Sequence, residues 1–241
     1  MVKIFRKYRQ QQLTDKGFGK YLLYAVGEIT LIVIGILIAI QLNNWNENRK
    51  SRIQEVKTLK ELRSDLVQSL NDIEMNLNVL RTCRKSNEII KHCIVNKIPY
   101  ADTLNRHFAN LYPYITFSVN ETTYSSLQQS GLSLISNDSL RISISDIYAN
   151  QFGHFRSLMN DYMIEHYENY MKPMFITEFI TYDYPEEAIP KDYNLFIQNN
   201  NHEQITNFSL VICNTFIRIL QTRLKPNVEE LINEIDKEIS N

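Results

Sequence analysis

Glu28 is the residue whose placement carries the most chemical meaning. It is the one charge inside an apolar run at residues 21–42, and such a run is long enough to cross a bilayer core of roughly 30 Å as a single helix. A carboxyl at that depth costs on the order of 2.5–3.5 kcal/mol on insertion scales, so something is expected to compensate it. Gly35 and Ala39 follow Glu28 at i+7 and i+11 and share its helix face. They form a small-x-x-x-small pair that lets a second helix approach closely. The face therefore reads as a transmembrane association surface, where Glu28 meets its own copy or a polar group of a partner membrane protein, the alternative being a lone protonated acid near the interface.

Other chemistry is thin. The five histidines include no Glu-x-x-His pair of the di-iron bundle type and no zincin motif. His154, Asp161, Glu165 and Glu168 share one face of a predicted helix and are the nearest thing to a metal-ligand set, but they read as a solvated face opposite an apolar one. No G-x-S-x-G elbow or S-x-x-K motif occurs, and six glycines supply few phosphate-cradling loops. The sequence thus predicts no catalytic residue, no metal, no cofactor and no enzymatic activity. The most motif-like part beyond the span is the turn around Gly131. There Tyr124, Gln128 and Arg141 are candidates to bound a small ligand pocket, the alternative being ordinary helix-turn-helix geometry.

The elements that must position these residues read as mainly α. A tail at 1–20 carries Lys3, Arg6, Lys7, Arg9, Lys16 and Lys20 against Asp15, with Ile4, Phe5, Tyr8 and Leu13 interleaved; this basic amphipathic segment reads first as a set of topology determinants, the alternative being a segment that lies along an anionic leaflet. The span at 21–42 follows. No proline or glycine interrupts residues 36–98, so the membrane helix is expected either to continue into the next element or to break near Asn43, Asn44 and Asn46. Residues 43–241 then form one extramembrane helical bundle. Its first stripe is Leu59, Leu62, Leu66, Leu70, Ile73, Leu77 and Leu80. This stripe packs either in the bundle itself or, with its irregular spacing, in a coiled coil with a second chain.

Later segments are predicted as a short helix at 122–129 stopped by Gly131, a long helix at 138–171 ending before Pro173, a surface loop through residues 198–201, a helix at 202–224 and a last helix opened by Pro226. Some extended structure is allowed at 175–184. Cys83, Cys93 and Cys213 are too few for a disulfide scaffold. Cys83 and Cys93 on one straight helix stand about 15 Å apart, beyond bridging distance. A link from Cys93 to Cys213 is left open.

Net charge is −1, so the chain offers no field for nucleic acid. The basic tail favours a cytoplasmic N-terminus. A single uncleaved helical span favours the inner membrane over the outer, where spans are usually barrels, and places the C-terminal domain in the periplasm.

Two stretches resemble an uncharacterised bacterial family of single-pass membrane proteins, a domain of unknown function. The first is FRKYRQ, then KYLLYAVGEI, then VIGILIAIQLNNWNENRK; the second is YSSLQQSGLSLISNDSLRISISDIY at 124–148. The resemblance implies a single anchor and a helical extramembrane domain and brings no catalytic or binding residues with it. The resulting functional expectation is a membrane-anchored interaction or scaffold protein, held by the lipid bilayer and assembling as a homo-oligomer or with a membrane protein. The alternative is a periplasmic ligand-sensing bundle that signals through a separate output protein.

Overall fold

The computed structural model describes residues 18–240. The basic amphipathic tail expected at 1–20 lies outside the described residues apart from the start of the first helix. The chain divides into two compact units, Met1–Gln54 and Glu55–Asn241.

Helix α1 runs uninterrupted over Phe18–Asn96. The break allowed at Asn43, Asn44 and Asn46 does not occur, because no residue there lacks a backbone donor or forces a non-helical φ. In the first unit its most apolar 18-residue window has a mean hydropathy of 2.5 with no residue buried, so this helix is long and apolar enough to cross a membrane. The helix stops ahead of Pro99. Lys97 takes a left-handed φ of 52° and the Ile98 amide reaches the Cys93 carbonyl at 3.1 Å, the bond that closes a Schellman cap.

The second unit is mainly α. After α1 come α2 (Asn105–Ala109), α3 (Thr122–Ser130), α4 (Asp138–Ser145), α5 (Phe152–Leu158), α6 (Lys172–Glu178), α7 (Tyr193–Gln198), α8 (Asn200–Ile219) and α9 (Lys225–Ser240). Strands β1 (Phe179–Asp183) and β2 (Glu187–Pro190) form one antiparallel hairpin between α6 and α7. The Leu59 to Leu80 stripe is used inside the domain's own core. Leu59, Leu62, Leu66, Ile73, Leu77 and Leu80 are sealed with Phe152, Phe155, Phe216 and Ile235 in one cluster, with Leu70 at its margin. A second cluster gathers Ile90, Phe108, Met171, Phe175, Phe179 and Phe196.

Three expectations about boundaries fail for identifiable reasons. Pro173 does not end the central helix, and Pro226 does not start a separate last one. Each sits just after a π-helical turn, Tyr167–Met171 and Leu220–Leu224, where the amides of Lys172 and Lys225 bond five residues back to Tyr167 and Leu220. A proline in a helix lacks a donor and crowds the carbonyl four residues before it. The widened π turn relaxes that crowding and lets the helix continue. The loop expected at 198–201 is reduced to Asn199, whose side chain accepts the Asn201 amide at 3.0 Å and caps α8 directly after α7.

Gly131 ends α3 with φ +106°. An L-residue is strained in that region, so Gly131→Ala should cost on the order of 1–2 kcal/mol of domain stability. Urea unfolding followed by circular dichroism checks this, and an unchanged midpoint would remove the need for glycine at this turn. Asn137 then opens α4 by accepting the Leu140 amide at 3.2 Å, a side-chain N-cap.

Candidate functional site

The turn that holds the predicted pocket residues is built around a buried carboxylate. Glu55, on α1, accepts from the Ser136 amide at 2.7 Å and the Ser136 hydroxyl at 2.8 Å. Around this anchor Tyr124 and Gln128 come together, one turn apart on α3, with the amide donating to the phenol oxygen at 3.2 Å. Tyr124 is 5% exposed and its ring stacks on Tyr148 at 4.7 Å between centroids. Little of that ring is open to a ligand. Arg141 is held elsewhere on the turn: its guanidinium donates to the Ile135 carbonyl at 3.3 Å and pairs with Asp138 at 2.9 Å. The Tyr148 hydroxyl and one Asp65 carboxylate oxygen are buried with no hydrogen-bond partner among the described residues. Burial, with Asp65 and Glu121 nearby, pushes the Tyr148 phenol far above its ordinary value, so it stays a neutral donor.

A second constellation gave no signal in the sequence. The hairpin brings Tyr182 next to Tyr114 and Tyr167, whose hydroxyls form a chain: Tyr182 donates to Tyr114 at 3.1 Å and Tyr114 to Tyr167 at 3.2 Å. Phe108, Tyr112 and Phe117 pack in the core, whereas Tyr114 is 38% exposed and turns to this cluster. Burial pushes the Tyr182 phenol up to about 12 and raises Tyr114 further, so these hydroxyls act as hydrogen-bonding groups and not as bases near neutrality. Beside them lies a cleft of about 380 Å³ whose walls include Phe175, Phe179, Tyr182 and the exposed Ile176 and Ile180. Lys172 stands at its rim, bonded to Glu168 at 2.8 Å. The cleft can receive a small apolar or aromatic group with a polar edge.

The acidic and histidine face does not assemble a metal site. His154, Asp161, Glu165 and Glu168 are all exposed. Among the described residues, no group of three or more His, Cys, Asp or Glu side chains is placed to hold a metal ion. The histidines that matter structurally are two others. His166 is 2% exposed, with Nε2 against the Ser209 hydroxyl at 2.9 Å and Nδ1 without a hydrogen-bond partner among the described residues. His202 bridges the Phe196 carbonyl at 2.8 Å and the Glu178 carboxylate at 2.9 Å, tying α6 to the α7–α8 junction.

In the span, Glu28, Gly35 and Ala39 are all exposed. A Cβ added at Gly35 would meet nothing within 4 Å, and the same holds at Gly27. Neither glycine has a positive φ, so nothing among the described residues requires glycine at these positions.

A protein-family model, a family of unknown function (DUF6090), matches residues 28–174, more than half of the chain. The chain belongs to this family. No curated protein and no solved structure matches it. The DUF6090 segment begins at Glu28 and takes in Gly35, Ala39, the core stripe and the whole Tyr124 to Arg141 turn. It ends within α6, so the hairpin wall of the cleft and all of α8 and α9 lie outside the DUF6090 match.

Proposed function

We propose that this DUF6090 protein is a non-enzymatic, membrane-anchored interaction or scaffold protein. It self-associates through its span or pairs there with another membrane protein. It sits in the inner membrane with its N-terminus in the cytoplasm and presents the helical domain on the periplasmic side. The observation that carries the reading is the exposed face of Glu28, Gly35 and Ala39: a costly carboxyl beside small residues that nothing among the described residues covers. The separate use of the Leu59 to Leu80 stripe in the domain core supports it, because association through that stripe would require opening the core.

Glu28→Ala should weaken association about 3- to 30-fold, the worth of one interhelical polar contact, while leaving insertion and the helical signal intact. Sedimentation of the detergent-solubilised chain across a dilution series reads this directly. Equal oligomer size for wild type and Glu28→Ala at every dilution would overturn the reading.

The cleft beside Tyr182 favours a second reading, a ligand-sensing bundle working through a separate output protein, since its volume lies in the range of small-molecule sites. Thermal shifts of the full chain against a set of aromatic and aliphatic carboxylates test it. A shift abolished by Tyr182→Ala supports sensing, and no shift from any compound removes its motivation.

A further inference from the structure

Cys83 on α1 and Cys213 on α8 stand 130 positions apart in sequence, yet their Sγ atoms lie 3.3 Å apart, with the Cys213 thiol donating to Cys83. Both are free thiols buried in the larger core cluster. Cys93 sits in the other cluster, so the Cys93 to Cys213 link that the sequence left open gives way to a different pairing. The surroundings hold the Cys83 sulfur in place. Its thiol also reaches the Leu111 carbonyl at 3.3 Å, and Asn87 donates to the Cys83 sulfur at 3.3 Å and to the Cys83 and Leu111 carbonyls at 2.9 Å each.

We propose that Cys83 and Cys213 are a disulfide-forming pair, closed by exchange with a small or protein disulfide as the domain folds, so that the bond staples α1 to α8 inside the core. Timing follows from burial. Exchange requires a thiolate, and desolvation pushes the Cys83 thiol well above its ordinary value in the folded core. Exchange therefore precedes core closure. With glutathione disulfide as oxidant, one cysteine loses its proton to solvent and attacks a glutathione sulfur, releasing one glutathione thiolate and leaving a mixed disulfide. The second cysteine, also deprotonated, attacks the protein sulfur of that mixed disulfide and releases the second glutathione. One protein S–S bond forms, the glutathione S–S bond breaks, and two electrons and two protons pass to two glutathione thiols.

The proposal does not rest on the sidedness given above, because the test supplies the oxidant. The full chain in detergent is reduced and unfolded in urea, refolded in a glutathione redox buffer, quenched with alkylating agent and digested without reduction. The expected product is a Cys83 peptide joined to a Cys213 peptide, two hydrogens lighter than their sum, with Cys93 alkylated. Melting should rise by roughly 5–15 °C over the reduced chain, because the bond restricts the unfolded state across a long loop. Cys93→Ser should give the same link and no free thiol. Alkylation of all three cysteines, a link that includes Cys93, or a linked chain without its helical signal or with lowered melting would each overturn the proposal.

Discussion

Phe152→Ala is expected to lower the stability of the helical domain by about 3–5 kcal/mol, the range for removing a fully buried aromatic ring. Phe152 has no exposed surface. Its ring meets Phe117 and Tyr148 edge-to-face, each at 5.4 Å, so the truncation removes two aromatic contacts as well as apolar area. Urea unfolding of the solubilised chain should show a lower midpoint with an unchanged slope. A loss below about 1 kcal/mol would mean that the core around the central helix collapses far more readily than its packing indicates.

The second large effect is acid sensitivity set by His166. Burial holds its pKa down, from an ordinary 6.5 to about 4. The groups against it are the Ser209 hydroxyl and the rings of Tyr170 and Phe208, with the Met171 sulfur beyond Ser209. None of these neighbours is a carboxylate that could compensate a charge on the imidazole. The unfolded chain takes up a proton near pH 6.5 and the folded chain only near 4. Between these values the unfolded state binds more protons, and stability rises with pH across that window. The contribution is complete above about pH 6.5 and lost as pH falls towards 4. The loss is on the order of 3 kcal/mol, from the width of the shift at 1.36 kcal/mol per pH unit. His166→Gln keeps a hydrogen-bonding group towards Ser209 and removes the titration. The stability difference between wild type and variant should therefore drift across pH 4–6.5 and stay flat from 7 to 8. A constant difference across both ranges would contradict the assignment.

The parts of the fold visible in the sequence are those set by local periodicity and caps. The long apolar helix, the Leu59 to Leu80 stripe and the stop at Gly131 each depend on residues a few positions apart, and each occurs where such spacing places it. The prolines misled because their effect depends on the preceding turn. The π turns ahead of Pro173 and Pro226 are packing outcomes of a crowded interior with no residue signature of their own. Asn199 misled differently: an Asn-rich run reads as a loop, yet one asparagine side chain suffices to cap a helix. Of the pocket trio, Tyr124 and Gln128 share a helix face and meet for that reason. Arg141 belongs to the next helix, and its orientation follows from Asp138 and the Ile135 carbonyl. The tyrosine chain and the Cys83 to Cys213 contact join positions far apart in sequence, where periodicity carries no information.

The central claim, that the face of Glu28, Gly35 and Ala39 is the surface through which this DUF6090 protein acts, is tested most directly by crosslinking in native membranes. Wild type and Glu28→Ala are compared side by side, with mass spectrometry of the captured species. The account predicts self-crosslinks or specific membrane-protein partners that are present for wild type and depleted for the variant at equal expression. Identical captures from both, with every crosslink mapping to the helical domain, would contradict it and make the span a passive anchor.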